Sequence, residues 1–163
     1  MRQLGGVIFD SFAFARESAE LEGVLSVKDL PRLAGSLAED GGSLVCVLRG
    51  GRSENGKLCL WLEASGELSV ICQRCLQEMK WPLRLEAKLL LVAPGAVWPD
   101  EELEDDSADA IPASAEQSLR ALVEDEVLLA LPLAPRHQAC ELPLAGGDAG
   151  RVSPFAALAK IKH

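Results

Sequence analysis

Across residues 43–92 apolar side chains keep returning at every second position, and no other feature of the chain restricts its fold as much. A period of two places alternate side chains on opposite faces of a strand, so this stretch reads as sheet. Residues 43–50 form an apolar run, and Glu54, Asn55 and Gly56 supply a turn. Asn-Gly is a strong hairpin signal because both residues tolerate positive φ. Residues 57–64 then alternate, with Leu58, Leu60 and Leu62 on one face and Cys59 and Trp61 on the other. Ser65 and Gly66 read as a second turn before a strand over residues 67–72, where Leu68 and Val70 share a face. Met79, Trp81, Leu83 and Leu85 alternate with Lys80, Arg84 and Glu86, and residues 85–92 extend that strand. Pro82 lacks an N–H and so belongs at an edge or a bulge. The expectation is an antiparallel meander.

Helices flank it. Residues 27–39 carry Leu30, Leu33, Ala34 and Leu37 at helical spacing, with Ser26 placed to cap and Pro31 tolerable in the first turn. Residues 119–131 show a longer stripe of Leu119, Leu122, Val123, Val127 and Ala130, leaving Glu124, Asp125 and Glu126 largely outside it. Ser118 is the expected N-cap, and Pro132 stops the helix. A chain of 163 residues suits one domain. We therefore expect a single α+β domain over residues 1–163, a mainly antiparallel sheet packed by the 119–131 helix and an N-terminal helix. With three Trp, four Phe and no Tyr, its core must be mostly Leu, Val and Ala. Leu58, Leu60, Leu62, Leu122 and Val127 are expected there.

Charge is strongly segregated within a net of −9. Residues 1–42 carry net −3, residues 43–92 net +2, residues 93–131 net −10 and residues 132–163 net +2. The densest run, Asp100, Glu101, Glu102, Glu104, Asp105 and Asp106, reads as a solvated, poorly ordered loop around residues 99–113. It serves either solubility or contact with a basic partner. The tail from Pro135 is rich in Gly, Ala and Pro and is expected to be loosely held, apart from residues 153–162. The longest uncharged run, residues 89–99, is interrupted by Pro94 and Gly95 and falls far short of the ~20 apolar residues of a membrane span. No membrane association is expected. The apolar stretch at residues 5–9 has no small-residue cleavage pattern, so no export signal is expected. Five cysteines, an odd number, then suggest a reducing, cytoplasmic setting rather than a disulfide framework.

Catalytic motifs fail on inspection. Residues 51–57 have the spacing of a phosphate-binding loop, but Leu58 stands where the magnesium-binding hydroxyl belongs and a strand pattern follows where a helix is needed. The two histidines, His137 and His163, lie in the tail, and no carboxylate spacing singles out an acid–base pair. No enzyme is expected. The cysteines carry more. Cys72 and Cys75 form a CxxC knuckle between two expected strands, and His137 and Cys140 form a second pair beyond the helix. Together they offer three sulfurs and one imidazole, a donor set for tetrahedral zinc. A redox CxxC would open a helix, which the following strand pattern disfavours. The remaining reading is that these thiols are merely small, partly buried side chains. Cys46 and Cys59 lie inside apolar strands and read as core.

Taken together, Cys72-Gln-Arg-Cys-Leu76, the run Leu-Val-Glu-Asp-Glu-Val-Leu-Leu-Ala-Leu-Pro-Leu over residues 122–133, Pro135-Arg-His137 and Cys140 resemble the YceD family. That is the bacterial large ribosomal RNA subunit accumulation protein family. Residues 12–16, 21–23 and 153–160 also look like its proteobacterial members. Many relatives carry a further cysteine pair after the helix, where this chain has His137 and Cys140. The resemblance implies a role in accumulation of 23S ribosomal RNA, with pre-50S particles as partners and no catalytic residues to carry over. RNA affinity comes largely from Lys and Arg contacts to phosphate. Arg49, Arg52, Lys57, Arg74, Lys80, Arg84 and Lys88 fall in the sheet region and form an RNA-binding patch if they share a face. The alternative function is an adaptor or holdase whose acidic run engages a basic ribosomal protein.

Overall fold

The computed structural model describes residues 1–97 and 108–142. In chain order the elements are β1 (Ile8–Phe9), α1 (Ser11–Arg16), β2 (Glu20–Ser26), a 3-10 turn (Val27–Asp29), α2 (Pro31–Ala34) and β3 (Ser43–Arg52). There follow β4 (Leu58–Ile71), β5 (Glu78–Val92), β6 (Asp109–Pro112), β7 (Gln117–Ser118) and α3 (Leu119–Ala130). Five strands make one sheet in the order β2-β3-β4-β5-β6. Every pairing in it is antiparallel except β5 with β6. β1 and β7 form a separate two-residue antiparallel pair. The result is the expected α+β fold in one compact domain.

The period-two pattern sorts the sheet as read. Leu60, Leu62, Ala64 and Leu68 of β4 are buried with Leu44, Cys46 and Leu48 of β3 and Leu83 and Leu89 of β5. Leu119, Leu122, Val123 and Val127 of α3 complete that core, which also takes in Leu25, Val27, Leu30 and Leu33. Leu58 is only half-buried at its margin. The opposite, outer face displays Val45, Val47, Arg49, Trp61, Glu63, Ser65, Arg84, Glu86 and Lys88 by register.

Three local expectations are corrected. Ser65 and Gly66 make no turn: β4 runs unbroken for 14 residues, and Gly66 pairs with Leu44 on one side and Leu83 on the other. Glycine is required there for close approach, since a Cβ would stand 2.7 Å from Leu44 Cδ2 and 2.8 Å from the Ser43 carbonyl oxygen. The 27–39 helix is also absent. The chain makes a 3-10 turn and then one helical turn beginning at Pro31, and Ser26 provides no side-chain cap. Pro31 has no N–H to continue an earlier helix, so it starts a new one. Within the stretch read as a loop, 99–113, Asp109–Pro112 form a strand; residues 98–107 lie outside the described residues.

A fourth correction concerns the acidic triplet of α3. Glu124 and Glu126 are buried, 5% and 7% exposed, and only Asp125 faces solvent. Glu124 supplies the cap that Ser26 does not. Its Oε1 accepts from the backbone N–H groups of Arg32 at 2.6 Å and Leu33 at 3.0 Å, and its Oε2 lies 3.3 Å from Arg32 Nε. Asp125 pairs with the same guanidinium. A carboxylate at a helix start meets donors that no earlier turn satisfies. α3 itself begins as expected, with Ser118 accepting from Ala121 N–H at 3.3 Å.

Two substitutions test this packing by urea denaturation. Leu122→Ala removes a side chain 4% exposed and should cost about 2–5 kcal/mol. Glu124→Ala leaves the buried Leu33 N–H and the part-buried Arg32 N–H without an acceptor and should cost about 1–3 kcal/mol. Midpoints equal to wild type would contradict both assignments.

Candidate functional site

The hairpin joining β4 to β5 is tied at its base. Cys72 N–H donates to the Gln77 carbonyl at 2.9 Å, and Leu76 N–H donates to the Cys72 carbonyl at 2.9 Å. Leu76 closes the turn at φ 61°, a strained choice for a non-glycine residue, with its side chain exposed. The chain leaving α3 then crosses this end of the hairpin. Gln73 N–H donates to the carbonyl of buried Pro135 at 2.8 Å, and Arg74 Nη1 donates to the Cys140 carbonyl at 3.4 Å. The tail read as loose from Pro135 is therefore hydrogen-bonded where it passes the hairpin.

These contacts bring the two residue pairs together. Cys72 Sγ lies 3.7 Å from Cys140 Sγ, and Cys75 Sγ lies 3.3 Å from His137 Nδ1. All four donor atoms fall within 4.8 Å of one another. Tetrahedral coordination with metal–sulfur bonds near 2.3 Å and metal–nitrogen bonds near 2.0 Å sets donors roughly 3.3–3.8 Å apart. The arrangement can hold a metal ion. Cys72 is buried, while Cys75, His137 and Cys140 are half-buried at the rim.

The sulfur electrostatics suit a ligand. Burial opposes ionisation of Cys72, but the backbone N–H groups of Cys75, His137 and Arg74 outweigh it and bring the thiol down to about 5. Those of Arg74 and His137 each stand 3.4 Å from Cys72 Sγ. Cys140 is raised by burial and by its neighbours Cys72 and Cys75, which do not welcome a second thiolate without a cation. The CxxC opens no helix, so the dipole on which a redox CxxC relies is missing. Cys46 and Cys59 are remote from this chemistry. Burial in the core pushes Cys46 up to about 11, and Cys59 is buried on the outer face.

Residues 60–162 match a family model described as large ribosomal RNA subunit accumulation protein YceD. The chain belongs to the YceD family. Neither the curated proteins nor the solved structures contain a match. The YceD match takes in β4, the knuckle, β5 and α3, whereas β1, β2 and β3 precede it.

The basic residues do not form one patch. Arg49, Lys80, Arg84 and Lys88 share the outer sheet face, Arg52 and Lys57 sit at the β3–β4 end, and Arg74 lies in the knuckle. Arg49 pairs with Glu20 at 3.4 Å and also with Glu63, and Lys80 pairs with Glu78 at 3.2 Å and Glu39 at 4.0 Å. Arg84 and Lys88 make no ion pair among the described residues. Glu20, Glu22, Glu63, Glu67, Glu78 and Glu86 occupy the same face. Segment charge could not reveal this interleaving, because period two sorts neighbours onto opposite faces. Asp100, Glu101, Glu102, Glu104, Asp105 and Asp106 lie outside the described residues. Pro135 and the backbone N–H groups of Gln73 and Arg74 were missed as site-builders, since main-chain donors carry no side-chain signature.

In metal-free protein the thiol chemistry is open to titration. The folded pKa of Cys72 lies below its ordinary value of 9.0. Ionisation therefore favours the fold fully above about 9, and that contribution is lost as pH falls through about 5. Metal-free protein should show thiolate absorbance at 240 nm that disappears near pH 5 and is missing in Cys72→Ser. A step confined to about pH 8–9 would contradict the proposed N–H cradle.

Proposed function

We propose that the chain is a non-enzymatic factor for 23S ribosomal RNA accumulation, acting in large-subunit biogenesis by binding the RNA or a pre-50S particle in the cytoplasm. The observation that carries this reading is the family match over residues 60–162. The knuckle's part is architectural: a structural zinc on Cys72, Cys75, His137 and Cys140 clamps the chain after α3 to the hairpin. Such a clamp folds together with its metal, because the ligands come from distant parts of the sequence. Freshly purified, untagged protein should carry about one zinc per chain by elemental analysis, and Cys72→Ser should carry much less. Substoichiometric zinc in the wild type would remove the clamp.

Phosphate contact falls to the basic side chains that are not already neutralised. Arg84 and Lys88 have outer-face positions without ion pairs among the described residues, supported by Arg74 and Arg52 nearer the sheet ends. Arg49 and Lys80 are engaged with carboxylates and contribute less. Direct RNA affinity is accordingly modest and salt-sensitive. Replacing Arg84 and Lys88 together with Gln should lower affinity for a 23S precursor fragment and flatten the salt dependence by roughly two units. Arg49→Gln should change it less. RNA retention untouched by the double change would overturn RNA binding through this face.

A further inference from the structure

β4 pairs with Glu78–Leu90 of β5 on one side, but β6 covers only Leu89–Val92 on the other. Toward the knuckle, residues 83–88 keep an unpaired row of backbone groups among the described residues, and Pro82 ends the usable stretch. An open edge of this kind is a template for another strand unless something blunts it. Here the edge is not bare. It forms one wall of a groove of about 280 Å³, bounded by Leu85, Glu86, Ala87 and Lys88 and, across from them, by Asp109, Glu126, Leu129 and Ala130.

The chemistry of the far wall is specific. Glu126 is 7% exposed yet makes no hydrogen bond or ion pair among the described residues. Buried carboxylates are ordinarily partnered, and an unpartnered one calls for a reason. Burial and the neighbouring Asp109 and Asp125 hold its carboxyl above the usual range, and the groove's one cation, Lys88, makes no ion pair with it. Leu129, 77% exposed, adds an apolar lip.

We propose that the groove between the open edge of β5 and α3 binds an extended, lysine- or arginine-bearing polypeptide segment of a partner protein as an added strand. The ladder at residues 83–88 supplies main-chain hydrogen bonds, Glu126 and Asp109 receive the cationic side chain, and Leu129 covers an apolar one. Charge chooses this occupant. Nucleic acid meets Glu86, Asp109 and Glu126 with like charge, three carboxylates against the single cation Lys88. The inference does not rest on the RNA reading, because it is tested with peptide alone.

The probe is a fluorescent nine-residue peptide of alternating lysine and valine, followed by anisotropy at low salt against full-length protein. We expect saturable binding, at least tenfold weaker when alternate backbone nitrogens are N-methylated and unable to extend the ladder. The double variant Glu126→Gln, Asp109→Asn should also bind at least tenfold more weakly, with a shallower salt dependence. Hydrogen exchange on the wild type should slow at residues 83–88 when peptide is bound. Equal binding of the N-methylated peptide, equal binding by the double variant, or protection elsewhere would each overturn the proposal. So would displacement of the peptide by an RNA oligonucleotide, or no saturation up to millimolar peptide.

Discussion

Thirteen residue pairs, from Cys59 with Leu90 to Ile71 with Glu78, join β4 to β5, and the other features of the molecule hang on that ladder. Its length decides which side chains share a face. A slip of one residue would turn Leu60, Leu62 and Leu68 toward water and Trp61 and Glu63 toward α3. One end of the ladder carries the CxxC turn. Its central part displays Arg84 and Lys88 outward, and its free side toward α3 leaves an edge available to another chain. Gly66 at mid-strand, pressed against Leu44, allows β3 to follow the same long strand without a break.

Two polar contacts fasten distant sequence to this frame. Glu124 gives α2 the acceptor its first turn lacks, and so joins residues 31–34 to α3 across more than 90 positions of chain. At the hairpin, Gln73 and Arg74 hold the chain around Pro135 and Cys140, so four donor atoms meet without a helix or a disulfide to place them. One fastening sits midway along α3 and the other on the residues after it. Its acidic triplet is therefore not a solvated face: one carboxylate caps, one pairs with Arg32 in solvent, and one lines a groove.

Much of the sheet was legible because alternation is local physics. Met79, Trp81, Leu83 and Leu85 announced their face, and Ser118 announced the start of α3. The quartet that could hold a metal was also legible, since CxxC and HxxC spacing reports donor chemistry directly. What escaped depends on partners far away in sequence. Residues 27–39 have helical spacing, but Pro31 divides them, and the cap comes from Glu124. Ser65 and Gly66 look like a turn until Leu44 is known to press on the glycine. Net charge by segment suggested a basic sheet face, whereas cross-strand register places Glu20 and Glu63 beside Arg49, and the two-residue period sets Glu78 beside Lys80 on the same strand.

The account assigns the outer face of this ladder a place on large-subunit RNA. The most direct measurement is a pull-down of the native protein at low salt, with the bound RNA and protein identified before and after nuclease. The account predicts enrichment of 23S ribosomal RNA or its precursor, with most large-subunit proteins released once the RNA is cut. No enrichment of large-subunit RNA over an unrelated acidic protein of similar size would contradict it.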